Sequence, residues 1–349
     1  MSNAMSNIRS TLLSIWPDYE PTPLIDCPAL ADLAGVDRVL IKNEGCRPLG
    51  NFKALGGMIA GLKAIARSVG ADFGAFLANP DAFGALPALV CASDGNHGLA
   101  VAAAARRANA QAIIYLPAEV SSVRAARIER AGGQVVRIDG TYDDAVDAAR
   151  RAAARGQGVL VADTTDVLAD PVVRDVMAGY RAISEEALAQ LEQTRVGRPT
   201  HLFIQAGVGG LAAAMADGFA DPPSPSPRLL VVEPRAAACV ALALADGRPQ
   251  KVEGGLTTQA EMLSCGLASA PALATLQRHG AQALLVDEAE LLDAVDILRS
   301  TTGLQTTPSG VAGLAGLLAS SSIQNRRSKI DLDYKSRILL VVTEGRADG

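Results

Sequence analysis

The 349-residue sequence is poor in aromatic residues, histidine and positive charge, and these shortages limit the composition of the core and the ligands that the protein can bind. Phe, Trp and Tyr make up 3% of the chain against 49% hydrophobic residues, so the core must consist mostly of Ala, Val, Leu and Ile. The formal net charge of -5 disfavours binding to nucleic acid or to an anionic membrane surface, because both need a basic patch. With three histidines and no His/Cys cluster, we expect no metal site.

Long apolar runs and a cysteine framework are also missing. No uninterrupted apolar stretch is long enough to span a bilayer, and no secretory segment stands near the start. The five cysteines are scattered and lack metal-type spacing, which favours reduced thiols in a cytoplasmic protein. Residues 1–5 resemble the remnant of an expression tag before a native Met5 and are left out of the fold prediction.

What the sequence does contain is a regular alternation of short β-branched runs and alanine-rich stretches. Most runs are continuously apolar, as expected of strands that are buried on both faces. The alternation predicts an α/β fold with parallel sheets flanked by helices. The predicted strands are 39–42, 89–92, 112–116, 134–138, 158–162, 201–205, 228–232, 283–286 and 338–342, with helices such as 99–108, 122–131 and 142–154 between them.

Four stretches interrupt this alternation. The prolines in 21–23 favour an extended arm. Residues 68–87 are rich in Gly, Phe and Pro and are interpreted as an insertion or a domain edge. Residues 221–227 are predicted to form a surface loop, and the mostly polar residues 320–335 an exposed connection.

The first candidate for chemistry is Lys53, which stands among small and apolar residues with Gly50 before it and Gly56 after it. In a partly dry pocket, desolvation would lower the pKa of this lysine. A neutral amine is a nucleophile and can form a Schiff base with an aldehyde. This segment alone fits a solvent-exposed lysine at a helix start at least as well, since most lysines are exposed.

The second candidate is the loop 92–98, which follows a predicted strand and precedes a predicted helix. Its small residues leave backbone N–H groups free at a helix N-terminus, which suits a carboxylate or a phosphate. Asp94 is unusual in an anion-binding loop unless it handles a proton. Alternatively, Asp94 or Asn96 simply caps the helix.

The third candidate is a glycine turn in 201–212, between a strand and an alanine-rich helix, which is typical of a phosphate cradle. The spacing Gly207-x-Gly209-x-x-Ala212 also satisfies the dinucleotide fingerprint. Glu233, at the end of the next strand, could hold a ribose hydroxyl. An NAD-dependent oxidoreductase is therefore an alternative for this motif, as is a turn required only for close helix–strand packing.

The fourth candidate is Thr343, which follows the last predicted strand. Its hydroxyl could bind a ring nitrogen, but most such threonines are simple caps at the end of a strand.

In this order, the four elements resemble fold-type II pyridoxal-phosphate enzymes, the group of threonine dehydratase and the tryptophan synthase β subunit. The resemblance covers nearly the whole chain and is closest to the diaminopropionate ammonia-lyases. In ordinary dehydratases the position of Asp94 is usually Ser or Ala, so the aspartate favours the ammonia-lyases. The landmarks of the wider group are 21–24, 51–53, 93–97 and 207–210, and the segments that point to the ammonia-lyases are 52–57, 94–98, 205–209, 232–234 and 343–345.

The resemblance implies a fold of two α/β domains. Residues 88–168 would form a small domain inserted into a large cofactor domain, which residues 1–87 and 169–349 would build. The cofactor would lie in the cleft between the two domains. Ligand sites at the carboxyl ends of parallel strands fit this placement.

The resemblance also implies a role for each candidate residue. Lys53 would carry pyridoxal phosphate, Asn96 would bind the ring hydroxyl, and Thr343 would face the pyridine nitrogen as a neutral partner. The phosphate would be held by the N–H groups of Gly207, Val208, Gly209 and Gly210. The substrate carboxylate would rest on the loop residues Ser93, Asp94, Asn96 and His97.

The reaction implied is ammonia elimination from the small amino acid 2,3-diaminopropionate, which gives pyruvate and ammonia. An amine leaves readily only when it is protonated, so an acid must stand nearby. Asp94 is the first candidate and Asp163 the second, and carboxylates on opposite faces of the cofactor would explain the use of both enantiomers. Asp163 could instead be a turn residue at a strand end, and Asp166 and Asp170 are close enough in sequence to be confused with it.

The sequence departs from the family pattern at Thr307. Relatives commonly carry a glutamate in the segment before Ser309-Gly310, and this acid is missing here. The substrate is therefore less constrained than the cofactor. A serine/threonine dehydratase and a cofactor-binding relative without turnover stay as alternatives, and the habit of the family suggests a homodimer.

Overall fold

The structure, a computed structural model, describes residues 2–220 and 225–346. The helices are α1 Ser2–Ile15, α2 Pro28–Ala34, α3 Lys53–Ser68, α4 Phe73–Ala78, α5 Asn96–Arg107, α6 Ser122–Arg130, α7 Tyr142–Ala154, α8 Pro171–Thr194, α9 Gly210–Phe219, α10 Cys239–Asp246, α11 Ala270–Arg278, α12 Glu288–Thr302, α13 Pro308–Ser321 and α14 Gln324–Lys329. The strands are β1 Leu24–Asp26, β2 Arg38–Asn43, β3 Leu89–Ala92, β4 Ala112–Pro117, β5 Gly133–Ile138, β6 Val159–Leu160, β7 His201–Gln205, β8 Arg228–Pro234, β9 Gln282–Val286 and β10 Arg337–Val342.

The strands form two sheets in the part of the chain described. The larger has the order β1-β2-β10-β7-β8-β9 and is parallel except for β1, which pairs antiparallel with β2. The smaller has the order β5-β4-β3-β6 and is parallel throughout. Strands β7 and β10 are buried along almost their whole length, because helices cover both faces of the sheet. This confirms the α/β prediction.

Helix α3 connects the two halves of the core. One apolar cluster contains both Leu40 of β2 and Leu89 of β3, and α3 packs against α5 on one side and α8 on the other. A Cβ atom on Gly57 would lie 2.5 Å from Cβ of Ala100, and one on Gly56 would lie 2.5 Å from Cε1 of Tyr180. Only glycine permits both close approaches, and they fix the helix that begins with Lys53.

A buried group of charges attaches α8 to the larger sheet. Nζ of Lys42 lies 2.6 Å from Oε2 of Glu186, and Nη1 of Arg47 lies 2.9 Å from Oε1 of the same carboxylate. Arg47 also contacts Glu44 at 2.7 Å, and the hydroxyl of Tyr19 donates to Glu186. Two positive and two negative side chains thus balance one another where water is excluded.

Each predicted strand is present within a few residues of its predicted bounds, and the proline arm at 21–23 contains no helix. Two of the interruptions contain more structure than their composition indicates. Residues 68–87 include α4, where Phe76 is buried, and the exposed connection predicted for 320–335 is wrong in part, because Ile330 and Leu332 are buried. Of the predicted loop 221–227, residues 221–224 lie outside the described residues, and 225–227 have no regular structure.

Two kinds of feature are absent from the described ranges. No helix there is long and apolar enough to cross a membrane. No group of three or more His, Cys, Asp or Glu side chains in those ranges could hold a metal ion.

Candidate active site

Every residue that the sequence assigns to pyridoxal phosphate or its reaction lines one open cavity, which holds about 780 Å³ of space when the solvent at its mouth is included. The cavity lies where the carboxyl ends of strands from both sheets meet the N-termini of α3, α5 and α9. The predicted residues brought together are Lys53, Ser93, Asp94, Asn96, His97, Asp163, Gly207, Val208, Gly209, Gly210 and Thr343.

Lys53 begins α3, and its amine faces Asp163. Nζ of Lys53 lies 2.6 Å from Oδ2 of Asp163, and the lysine side chain is 22% exposed. Burial alone would lower the pKa of Lys53, but the Asp163 carboxylate outweighs it and raises that pKa well above its usual value. The lowered pKa expected from the sequence is therefore wrong for this state, because the sequence does not show the partner carboxylate.

Asp163 follows β6 and is buried between two donors. Besides the Lys53 amine, its Oδ1 accepts a hydrogen bond from the Tyr142 hydroxyl at 3.1 Å. Burial would raise the pKa of Asp163, but the Lys53 charge and these donors hold it well below its usual range. The carboxylate is therefore ionised at neutral pH. Asp166 and Asp170 do not line the cavity, and Asp170 instead caps α8.

Asp94 lies in the same cavity, but its pKa is raised whereas that of Asp163 is lowered. Burial, only partly offset by the Lys53 charge, raises the pKa of Asp94 to about 7. Part of its surface faces the open cleft. Asp94 is neither the N-cap residue of α5 nor an acceptor of a capping hydrogen bond, so its side chain is available to a ligand.

The loop before α5 is fixed by Ser93 and His97. Oγ of Ser93 accepts hydrogen bonds from the N–H groups of Gly95 at 2.9 Å and Gly98 at 2.8 Å. Nε2 of His97 lies 2.8 Å from the carbonyl oxygen of Val161, so this nitrogen must carry the hydrogen. Burial lowers the pKa of His97, which stays neutral, and its Nδ1 has no partner among the described residues.

The turn between β7 and α9 lines the cavity and requires glycine at two positions. Gly209 has φ +96, a conformation that favours glycine, and a Cβ atom on Gly207 would lie 2.9 Å from Sγ of Cys265. The first N–H groups of a helix have no acceptor within the helix, so the start of α9 offers donors to an anion.

Thr343 lies at the end of β10 beside Gln205. Nε2 of Gln205 donates to Oγ1 of Thr343 at 3.1 Å and to the Gly310 carbonyl at 2.9 Å. The Thr343 hydroxyl also lines the cavity and can donate its own hydrogen there.

Glu233 does not take the position that a dinucleotide site requires. Its two carboxyl oxygens accept hydrogen bonds from the N–H groups of Val240 at 2.8 Å and Ala241 at 2.7 Å, at the start of α10. The side chain is completely buried and does not line the cavity. Glu233 is therefore not placed to bind a ribose hydroxyl, as the dinucleotide interpretation requires.

The sequence prediction gives no role to several residues of this site, among them three polar ones. Tyr142, Gln205 and Glu344 all line the cavity, and each stands at or soon after the carboxyl end of a parallel strand. Their position after predicted strands could have identified them from the sequence, because ligands bind at these strand ends.

The residues present fit pyridoxal phosphate. A lysine amine reaches the cavity, a glycine-rich turn precedes a helix N-terminus, and the Thr343 hydroxyl can donate to a ring nitrogen. Each of these groups would match one part of the cofactor: its aldehyde, its phosphate and its pyridine nitrogen.

Comparison with known proteins agrees with this fit. The model of the family "Pyridoxal-phosphate dependent enzyme" matches residues 15–344. The diaminopropionate ammonia-lyase of Salmonella typhimurium is 31% identical over an alignment that covers 94% of this chain and 86% of the relative.

Solved structures show the same relation. The crystal structure of diaminopropionate ammonia lyase from Escherichia coli, in complex with an aminoacrylate-PLP azomethine reaction intermediate, is 26% identical with a TM-score of 0.87 and covers 99% of this chain and 89% of that one. The threonine deaminase of T.th. is also 26% identical, with a TM-score of 0.78 and coverage of 99% and 98%. The family match, which spans nearly the whole chain, shows that this protein belongs to the pyridoxal-phosphate dependent enzymes.

Proposed function

We propose that the protein is a pyridoxal-phosphate dependent lyase that eliminates ammonia from 2,3-diaminopropionate and yields pyruvate and ammonia. The observation that carries this proposal is the pair of carboxyl groups, Asp94 and Asp163, in one cavity with Lys53. The similarity to the ammonia-lyases of Salmonella typhimurium and Escherichia coli supports it.

The bound cofactor would supply delocalisation of negative charge from the substrate α-carbon. Lys53 is the residue that would carry it, and Asn96 and Thr343 would bind its ring hydroxyl and ring nitrogen. Its phosphate would lie at the start of α9, on the N–H groups of Gly207, Val208, Gly209 and Gly210.

The substrate carboxylate would bind at the start of α5. There the N–H groups of Gly95 and Gly98 are already bonded to Ser93, which shapes the loop and leaves the N–H groups of Asn96 and His97 to receive an anion. This helix start would orient the substrate with its α-carbon toward Lys53.

The two carboxyl groups would divide the proton transfers. Asp163 is ionised at neutral pH and can accept a proton, whereas Asp94, with a pKa of about 7, is partly protonated and can donate one to the leaving amine. Two such groups that exchange roles would allow both enantiomers of the substrate to react.

Product stoichiometry tests this function directly. Protein loaded with pyridoxal phosphate is incubated with each enantiomer of 2,3-diaminopropionate and, separately, with serine and threonine. We expect two molecules of ammonia per pyruvate from diaminopropionate, at a higher kcat/KM than for either hydroxy amino acid. A higher kcat/KM for serine or threonine, with one ammonia released per oxo acid, would instead identify a serine/threonine dehydratase.

The organisation of the chain is part of the proposal. We place the small domain at 88–168 and the large cofactor domain at 1–87 and 169–349, because the strands of the smaller sheet all lie between residues 89 and 160. We further propose a cytoplasmic homodimer. The five cysteines are free, which fits a reducing compartment, and light scattering of the purified protein would give the oligomeric state.

A further inference from the structure

Glu344 is a buried acid at the edge of the site to which neither sequence reasoning nor the proposed reaction gives a role. It follows Thr343 directly, is 7% exposed, and lines the main cavity together with Asn96. It also lines a smaller adjoining cavity with Arg124 and Arg127. A carboxylate so placed is costly unless its oxygens are satisfied.

Both oxygens of Glu344 are satisfied by side chains on other elements. Nδ2 of Asn96 donates to Oε2 of Glu344, and the Thr307 hydroxyl donates to Oε1. Thr307 has a single hydroxyl hydrogen and already accepts the N–H group of Gly310 at 3.1 Å, so this hydrogen is committed to Glu344.

The backbone around Glu344 is held just as firmly. The N–H group of Phe52 donates to the Thr343 carbonyl at 3.0 Å, and that of Gly345 donates to the Gly50 carbonyl at 3.0 Å. The segment before Lys53 and the segment that carries Glu344 are therefore fixed to each other. The backbone that carries the carboxylate therefore cannot move without displacing the segment before Lys53.

This arrangement decides which way the Asn96 amide points. A carboxylate only accepts hydrogen bonds, so the nitrogen and not the oxygen of Asn96 must face Glu344. An uncharged glutamine at 344 could accept or donate, and the Asn96 amide would then be free to turn over.

We propose that Glu344 is a positioning residue that acts through Asn96 and holds its amide in the one orientation that suits the cofactor ring hydroxyl. The inference rests on the proposed contact between Asn96 and that hydroxyl. Thr307, which stands in the segment where relatives commonly carry a glutamate, anchors this carboxylate.

A double-mutant cycle on cofactor affinity tests the proposal. Apoprotein is titrated with pyridoxal phosphate, and the dissociation constant is read from the visible absorbance. We expect Glu344→Gln to weaken binding about tenfold, as for one hydrogen bond to a charged group. In the Asn96→Ala background, the same substitution should change binding by less than about twofold, because Glu344 can no longer act through the Asn96 amide.

A purely structural role of Glu344 would give a different result. Equal weakening with and without Asn96, or no weakening by Glu344→Gln alone, would overturn the proposal. Glu185→Gln is the matched control, since it also removes one acid but lies in a separate groove between α1, α3, α4 and α8. It should leave the dissociation constant unchanged.

Two further variants keep the test valid if Glu344→Gln does not fold. Thr307→Val removes the other anchor of the carboxylate, whereas Thr307→Ser keeps the hydroxyl. We expect weaker cofactor binding only for the valine variant, again only while Asn96 is present, and equal binding by both would contradict the proposal. Because cofactor titration needs no substrate, failure to turn over diaminopropionate would defeat the proposed reaction without changing this outcome.

Discussion

Two aspartates in one cavity differ in protonation because their neighbours differ. Asp163 accepts from the Lys53 amine and the Tyr142 hydroxyl, which stabilise its charged form. Burial, only partly offset by the Lys53 charge, stabilises the neutral form of Asp94. An acid and a base are thus present together near neutral pH, as a proton-transfer pair requires.

The first prediction concerns the pH dependence of activity. If Asp94 must be protonated to release the amine, kcat/KM falls as the pH rises through about 7, the pKa of this carboxyl group. Asp94→Asn should retain the bound cofactor, lower kcat by about 100-fold or more, and lose this alkaline limb. pH profiles of both proteins check this, and an unchanged limb in Asp94→Asn would assign it to another group.

The second prediction concerns Lys53→Ala. Without the amine, we expect no visible band that borohydride can abolish, and a loss of activity of more than about a thousandfold. The substitution also leaves Asp163 buried without its cation, so the apoprotein should lose about 1–3 kcal/mol of stability.

Adding Asp163→Asn to Lys53→Ala separates the two effects. The neutral amide no longer needs a cation, so urea unfolding should show much of the lost stability restored while activity stays absent. If stability is not restored, the ion pair is not what Lys53 contributes to the fold.

At the scale of residues, the sequence indicates single residues of the site but not the residues that they contact. Lys53, Asp94 and Thr343 stand out because each lies in a local pattern of glycines or at a strand end. The Lys53–Asp163 contact joins residues 110 positions apart, and the Asn96–Glu344 contact joins residues 248 apart. Protonation states depend on such contacts, so the pKa of Lys53 could not be predicted correctly from its own segment.

At the scale of elements, a positive φ and close packing together require glycine in the turn between β7 and α9. Gly209 is the N-cap of α9 with φ +96, and an added Cβ atom would lie 3.3 Å from Cγ2 of Val240. A side chain at Gly209 would crowd Val240 and so shift the N–H groups that we propose for the phosphate.

The third prediction follows from that turn. Gly209→Ala should cost about 1–2 kcal/mol of stability from the positive φ and should also weaken pyridoxal-phosphate binding. Gly247→Ala is the matched control, because Gly247 has φ +82, ends α10 and has nothing within 4 Å of an added Cβ atom. It should lose similar stability in thermal unfolding with no change in cofactor affinity. Equal loss of affinity in both variants would contradict the phosphate role of the turn.

Elements were predictable where one physical signal dominated. Strand β3 was placed at its observed bounds, because its apolar run is buried on both faces. The two-residue strand β6 was predicted too long, since Val161 and Ala162 are apolar but lie beyond the pairing with β3. The predicted exposure of 320–335 failed for a related reason, because polar neighbours concealed the buried Ile330 and Leu332.

At the scale of the whole molecule, the buried charges around Glu186 join parts of the chain that are far apart in sequence. Glu186 on α8 contacts Lys42 on β2 and Arg47 near the start of α3, and it accepts from the Tyr19 hydroxyl in the N-terminal arm. These contacts lie outside the cavity and hold the scaffold that presents Lys53.

The fourth prediction is therefore about stability and not about chemistry. Glu186→Gln leaves Lys42 and Arg47 buried with one negative partner fewer, so we expect a loss of about 3–5 kcal/mol in urea unfolding at neutral pH. Asp175→Asn is the control: its ion pairs with Lys63 and Arg67 are more exposed, and it should cost about 1 kcal/mol or less.

The pH dependence of that loss identifies its origin. The hydrogen bonds and charge of Arg47, with Lys42, outweigh burial and lower the pKa of Glu186. Its contribution to stability is therefore complete above the pKa of an unfolded glutamate, about 4.3, and is lost as the pH falls through the lower folded-state value. Unfolding curves of the wild type and Glu186→Gln should converge in acid, whereas a difference that persists there would mean that packing, and not the carboxylate charge, supports the scaffold.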